Sequence, residues 1–227
     1  MARPASDIAP RIIAAARTRF LAEGVDGASL RAIASDAGTS IGMVYYYFPT
    51  KDELFFAVIE EIYVPLVEDL TRALAPDAPV DDRLRRLYRR FGDMSELEAV
   101  TLRLIVREIL VSNDRLGRVL QRFQRGHIPL ALAMLRDGMQ DGTLVSDLPP
   151  LLAAVITFAV GAAPQFLLRR AGSHLPAGDI PRGPELADLL VRILLHGIGA
   201  RPAEPPRPRP RAKPSARGRK PRRRRAG

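Results

Sequence analysis

Residues 30–54, LRAIASDAGTSIGMVYYYFPTKDEL, constrain the fold more than any other stretch of the chain. Leu30, Ile33, Ala34 and Ala37 recur at helical spacing. Gly38 stops that helix, because glycine takes the left-handed conformation that a helix end needs. Thr39 or Ser40 can cap the next helix, and Val44 and Phe48, four apart, share one of its faces. Two short helices joined by a glycine-containing turn make a helix-turn-helix, whose second helix enters the DNA major groove.

The signals on either side extend this reading. Ile12, Ala16 and Phe20 form the buried stripe of a first helix, which runs from about residue 8 or 10 to 22 and ends at Gly24. Ser29 is an N-cap for the second helix. Thr50-Lys51-Asp52-Glu53 is a capping box opening a fourth, with Leu54, Phe55, Val58, Ile59 and Ile62 behind it. Pro65 falls inside that pattern and should kink or end the helix.

The run ASDAGTSIGMVYYYFPTKDEL resembles the DNA-binding signature of the TetR (tetracycline-repressor) family of bacterial transcription regulators. RIIAAARTRFLAEG at 11–24 resembles the family's first helix. The likeness covers roughly residues 8–60 and beyond that fixes architecture alone. It implies an all-α chain of about nine helices, with a three-helix DNA-binding domain at 8–50. A helical regulatory and dimerisation domain would occupy 51–200. It also implies DNA contacts at Ser29, Arg31, Thr39, Ser40, Gly42, Tyr45, Tyr46, Tyr47 and Lys51. Ile41 and Met43 stand where many members place polar or small residues, so base readout should lean on thymine methyls and DNA shape.

The residues themselves favour the same surface. Three consecutive tyrosines are odd on a short structural helix whose buried side Val44 and Phe48 already supply. One can pack inward. The others suit hydroxyl-to-phosphate bonds or ring contact with thymine methyls. Gly42 permits close approach to the groove. Lys51, in a helix's first turn, can hold a phosphate together with nearby backbone N–H groups.

Charge divides the chain. The formal net charge is +10, but residues 201–227 hold twelve Lys/Arg and one Glu, so the other 200 residues carry a net −1. The tail, RPAEPPRPRPRAKPSARGRKPRRRRAG, lacks apolar residues beyond alanine and should be disordered. Arg217-Gly218-Arg219-Lys220-Pro221 resembles an AT-hook core interrupted by Lys220. The blander reading is a solvated basic tail with generic affinity for polyanions. Only Lys51, Lys213 and Lys220 are lysine among 35 basic residues, a bias that fits a GC-rich genome.

Downstream of residue 62 the pattern stays helical. Leu84, Leu87, Tyr88 and Phe91 mark a helix whose arginines form a solvated face. Further helices are read at 97–111, at 115–140 with a bend at Pro129, at 150–170 and at 184–198. Residues 148–168 carry no charge over 21 positions, long enough to span a bilayer. Pro149, Pro150, Thr157, Pro164 and Gln165 interrupt that run, and the bland reading is a buried core helix. The resemblance implies instead that the last two long helices pair with their symmetry mates in a four-helix dimer interface, with no membrane.

Other chemistries find little support. GTSIG at 38–42 matches a nucleophile elbow, which requires a preceding strand, whereas helical LRAIASDA precedes it. His127, His174 and His196 are isolated, and there is no cysteine, so no metal site is expected. No cofactor loop and no enzyme activity are expected. The N-terminus lacks a signal-like apolar stretch, and a cytoplasmic location fits. The partners implied are a double-stranded palindromic operator, a second copy of the chain and a small hydrophobic or amphipathic effector that releases the operator. An inducer-free regulator, or an architectural DNA-binding protein that relies on its tail, is the alternative. Effector-pocket candidates are Tyr63, Leu66, Tyr88, Phe91, Ile105, Ile109, Phe123, His127, Met134, Phe158, Gln165 and Phe166.

Overall fold

A computed structural model describes residues 7–171 and 180–198; His174 and the tail from 201 onward lie outside the described residues. Within them the chain is all-α, as expected: α1 (Ile8–Gly27), α2 (Leu30–Asp36), α3 (Ile41–Tyr47), α4 (Lys51–Ala73) and α5 (Val80–Gly92). They are followed by α6 (Glu96–Val111), α7 (Asn113–Gln124), α8 (His127–Gln140), α9 (Pro150–Ala171) and α10 (Pro184–His196).

Local chemistry sets most boundaries. Gly24 adopts φ 79° and interrupts α1, which resumes for one further turn. The Ser29, Ser40, Thr50 and Ser112 hydroxyls accept the N–H of Ala32, Met43, Glu53 and Arg115, capping α2, α3, α4 and α7. Ser95 and Glu98 form a reciprocal capping box on α6. Gly38 turns the chain between α2 and α3 at φ 61°.

Three expectations are corrected. The single helix expected over 115–140 is two, which raises the count to ten. The break lies at Gly126, not at Pro129. Pro129 is the third residue of α8, where its missing N–H removes no intrahelical bond. α4 does not end at Pro65 but runs on to Ala73; Ile62 and Tyr63 before the proline and Leu70 after it are all buried and hold it as one helix. On α5, Arg83 is buried instead of solvated. Its guanidinium donates to the Leu74 carbonyl at 2.7 Å and pairs with Asp137 at 2.6 Å.

Two cores result. The first joins α1–α3 and the N-terminal half of α4 to Leu104 and Ile105 of α6 and Val119 of α7. The second joins the C-terminal half of α4 to α5, α8, α9 and α10. In the second, the Tyr88 hydroxyl donates to the Thr157 carbonyl at 2.8 Å, and Gln165 Nε2 donates to the Tyr88 carbonyl at 2.7 Å. Gly161, one turn from each on the same face of α9, lies against the Tyr88 ring, where any Cβ would overlap it.

Candidate functional site

α3 presents two unlike sides. Val44 is fully buried, and Ile41, Tyr47 and Phe48 pack partly against the first core. Tyr45 and Tyr46 are 54% and 76% exposed. Tyr47 is thus the inward-leaning tyrosine that the sequence allows for, with its ring 5.2 Å from that of Tyr46. Ile41 leans inward too, so it takes less of the outer face than its position in the sequence implies. Gly42 is exposed, and a Cβ there would meet only the Ser40 hydroxyl. Arg31 is exposed and Thr39 half-buried. Ser29 and Ser40 use their hydroxyls as caps. Lys51 Nζ donates to the Asp26 carbonyl at 2.7 Å, which brings it beside the end of α1.

The helix-turn-helix rests on residues that the sequence did not single out. Arg11 of α1 donates to the Ala37 carbonyl at 2.6 Å and thereby holds the end of α2 beside the turn. Arg19 grips Asp36 through two nitrogens, at 2.6 and 3.1 Å. Arg115 of α7, almost fully buried, reaches carboxylates from three other helices: Asp26 at 2.5 Å, Asp52 at 3.1 Å and Glu108 at 2.8 Å. The hydrogen bond from Arg115 holds the Asp26 carboxyl below its usual range. Glu108, 2% exposed, also accepts the Val25 N–H at 3.2 Å. A buried carboxylate is tolerated only when paired in this way. No local pattern reveals this hub, since its acids lie 7, 63 and 89 residues from Arg115.

The pocket candidates separate into two groups. Tyr63, Phe123 and His127 meet, with the Tyr63 and Phe123 rings stacked 4.9 Å apart and the Tyr63 hydroxyl 3.1 Å from His127 Nδ1. Burial pushes His127 down to about 4 and Tyr63 up. Ile105 and Ile109 belong to the same core. Tyr88, Phe91, Phe158 and Gln165 meet elsewhere, with Phe91 and Phe158 5.6 Å apart. Leu66 and Met134 pack in that second core, and Phe166 is half-buried. A cleft of about 310 Å³ opens beside the first group, lined by Tyr63, Val64, Val67, Glu68, Arg122, Arg125 and Gly126. Tyr63 alone among the twelve candidates lines it.

α9 is apolar on its outer side as well. Leu151, Leu152, Val155, Ile156, Phe158 and Leu167 are all exposed, while Ala153, Thr157, Gly161 and Gln165 face the core. By length and composition this helix could cross a membrane, though 28% of its most apolar window is buried inside the protein.

A capped helix-turn-helix with outward tyrosines, carried on a larger helical body, defines a DNA-binding protein of the helix-turn-helix class. Comparison with known proteins agrees. The family described as "Bacterial regulatory proteins, tetR family" matches residues 12–58. The HTH-type transcriptional repressor SCO4008 of Streptomyces coelicolor is 29% identical over 157 residues, covering 66% of this chain and 77% of that protein. Among solved structures, a TetR-like transcriptional regulator from Rhodococcus sp. RHA1 superposes with a TM-score of 0.62 at 25% identity, over 86% of this chain and 98% of that one. The transcriptional regulator FadR from Bacillus subtilis, in complex with stearoyl-CoA, has the same fold with a TM-score of 0.63 at 19% identity, over 84% and 99%. Residues 12–58 are thus a DNA-binding domain of the kind found in the tetR family of bacterial transcription regulators. The protein is a DNA-binding regulator and not an enzyme.

Proposed function

We propose that the protein is a cytoplasmic, dimeric repressor that binds a palindromic operator through α3 and its flanking residues and is released by a small amphipathic ligand. The observation that carries this is the pairing of two exposed faces on one chain: Tyr45 and Tyr46 on α3, and the aliphatic side of α9. Tyr45, Tyr46, Arg31, Thr39 and Lys51 meet phosphates and base edges, Gly42 lets the backbone approach the groove, and Ser29 and Ser40 hold the two helix starts in place. The DNA-binding unit comprises residues 8–50 and the regulatory and dimerising body 51–200. The outer face of α9, with α10 beside it, packs on the same face of a second copy. A contiguous apolar surface of this kind marks a protein interface, and a two-fold axis then sets two recognition helices against two half-sites.

The ligand response is supported by a partly apolar cleft behind α4, the helix that follows α3 directly. The basic tail supports a second reading, in which twelve cations add sequence-independent attraction to DNA. Selection of bound sequences from a random DNA pool by the full-length protein tests both. Enrichment of an inverted repeat, bound by two chains, is expected. Retention of DNA without any sequence enrichment would replace the repressor with an architectural protein working through its tail.

A further inference from the structure

α4 and α7 are joined along one seam by arginines. Arg115 and Arg118 of α7 reach Asp52 of α4 at 3.1 and 3.3 Å. Arg118 lies 4.2 Å from the centre of the Phe56 ring. Arg122 pairs with Glu60 and lies 5.7 Å from the Tyr63 ring centre. Positions 115, 118 and 122 fall on one face of α7, and 52, 56, 60 and 63 on one face of α4. The cleft opens at the far end of this seam, where Tyr63 and Arg122 both line it. There Arg122 gives a terminal nitrogen to Glu60, while its Nε is buried without a partner. A buried donor left unpaired is unfavourable, and only an acceptor relieves it. Arg125 adds a second guanidinium that has no acidic partner among the described residues. Val64, Val67 and the Tyr63 ring supply apolar wall.

We infer that this cleft is the effector site and that its ligand is an amphipathic oxyanion, a carboxylate on a small apolar body. The inference rests on the ligand-responsive reading above. The carboxylate sits between Arg122 and Arg125 and takes Arg122 from Glu60; the apolar body lies on Val64, Val67 and Tyr63. Of the acids here, Glu68 lines the cleft and Glu60 is held by Arg122. A cationic ligand drawn to them would leave Arg122 Nε unpaired, and Glu60 is already engaged. At about 310 Å³ the cleft is at the small end of ligand sites, which suits a single ring with a short chain. Loss of the Glu60–Arg122 rung opens the seam from this end. α4 is then less firmly held on α7, and α3, joined to α4 by three residues, can change position.

The test compares 4-butylbenzoate with 4-butylbenzyl alcohol and 4-butylbenzylammonium, titrated calorimetrically into the full-length protein. Release of the selected operator is followed in parallel by fluorescence anisotropy. The benzoate should bind at least tenfold more tightly than either analogue. Arg122→Gln should weaken it at least tenfold, and Glu60→Gln should tighten it severalfold by removing the competing carboxylate. The second variant carries the test if the first does not fold. Equal affinity for the three probes, no benzoate binding at millimolar concentration, or affinity unmoved by either variant would overturn the site. Benzoate binding with the expected variant pattern, but with the operator still held, would reject the ligand-responsive reading and keep the binding site. Operator release that Arg122→Gln leaves unchanged would do the reverse.

Discussion

α3 and α9 both turn large carbon-rich side chains to the outside, and they do so differently. α3 offers tyrosines on a seven-residue helix, each ring ending in a hydroxyl. α9 offers Leu, Val, Ile and Phe over 22 residues. A hydroxyl at the tip keeps a ring compatible with water and with phosphate, so the α3 face suits a wet, charged partner. Aliphatic tips gain only from dehydration, so the α9 face suits a dry partner with the same character. Exposure alone does not separate the two surfaces; the chemistry of the outermost atom does.

The largest expected effect breaks the dry face. Val155→Asp should convert the dimer to monomer at micromolar concentration, as read by sedimentation equilibrium. Affinity for the full palindrome should then fall on the order of 100-fold or more, because two linked half-site contacts become one. Helix content should be retained, and a variant that stays dimeric would remove α9 from the interface. The wet face is sharpened by Tyr46→Phe. If the hydroxyl bonds a phosphate, its loss costs about 1.5–3 kcal/mol, roughly tenfold or more in operator affinity. If the ring instead meets a thymine methyl, the phenylalanine should bind unchanged and Tyr46→Ala should carry the loss. Lys51→Ala should weaken all DNA sites about equally and lower the salt slope by about 1. An unchanged slope would confine Lys51 to its bond with the Asp26 carbonyl.

The smallest effect at neutral pH belongs to the interior between the faces. Burial holds His127 near 4, below its ordinary value of 6.5. Between those values the unfolded chain binds a proton that the folded chain does not. Stability from this group is therefore complete above pH 6.5 and falls by about 1.4 kcal/mol per pH unit toward 4. His127→Gln should flatten that part of a denaturation series taken from pH 7 to pH 4 and leave both faces working at pH 7.

How far the sequence could be read depended on how local each cause is. α2 and α3 were legible because a hydroxyl at Ser29 or Ser40 and a glycine at position 38 act within three residues. The α7–α8 break was misplaced because proline is the louder signal, yet Pro129 is harmless in a first turn while Gly126 carries the change of direction. Arg83 read as a solvated helix residue, since nothing near it announces the Leu74 carbonyl and Asp137. Arg115 was invisible for the same reason, as its acids come from three other helices, two of them more than 60 residues away. Among the pocket candidates, the aromatics were found, but spacing could not show that Tyr63 and Tyr88 sit in different cores. Nor could it show that the cleft is walled by arginines.

The fit of Gly161 against the Tyr88 ring also governs how the sequence can drift. Any side chain at 161 collides with Tyr88 as it stands, so that substitution is closed to a chain that keeps the tyrosine. Shrinking residue 88 first leaves a cavity, a loss of a few kcal/mol, and frees the Thr157 carbonyl from its hydroxyl partner. A larger residue at 161 can then fill the space. The two positions therefore exchange in one order only, and the passage runs through a less stable intermediate. Chains on either side of that step would share the fold but could not trade these residues one at a time.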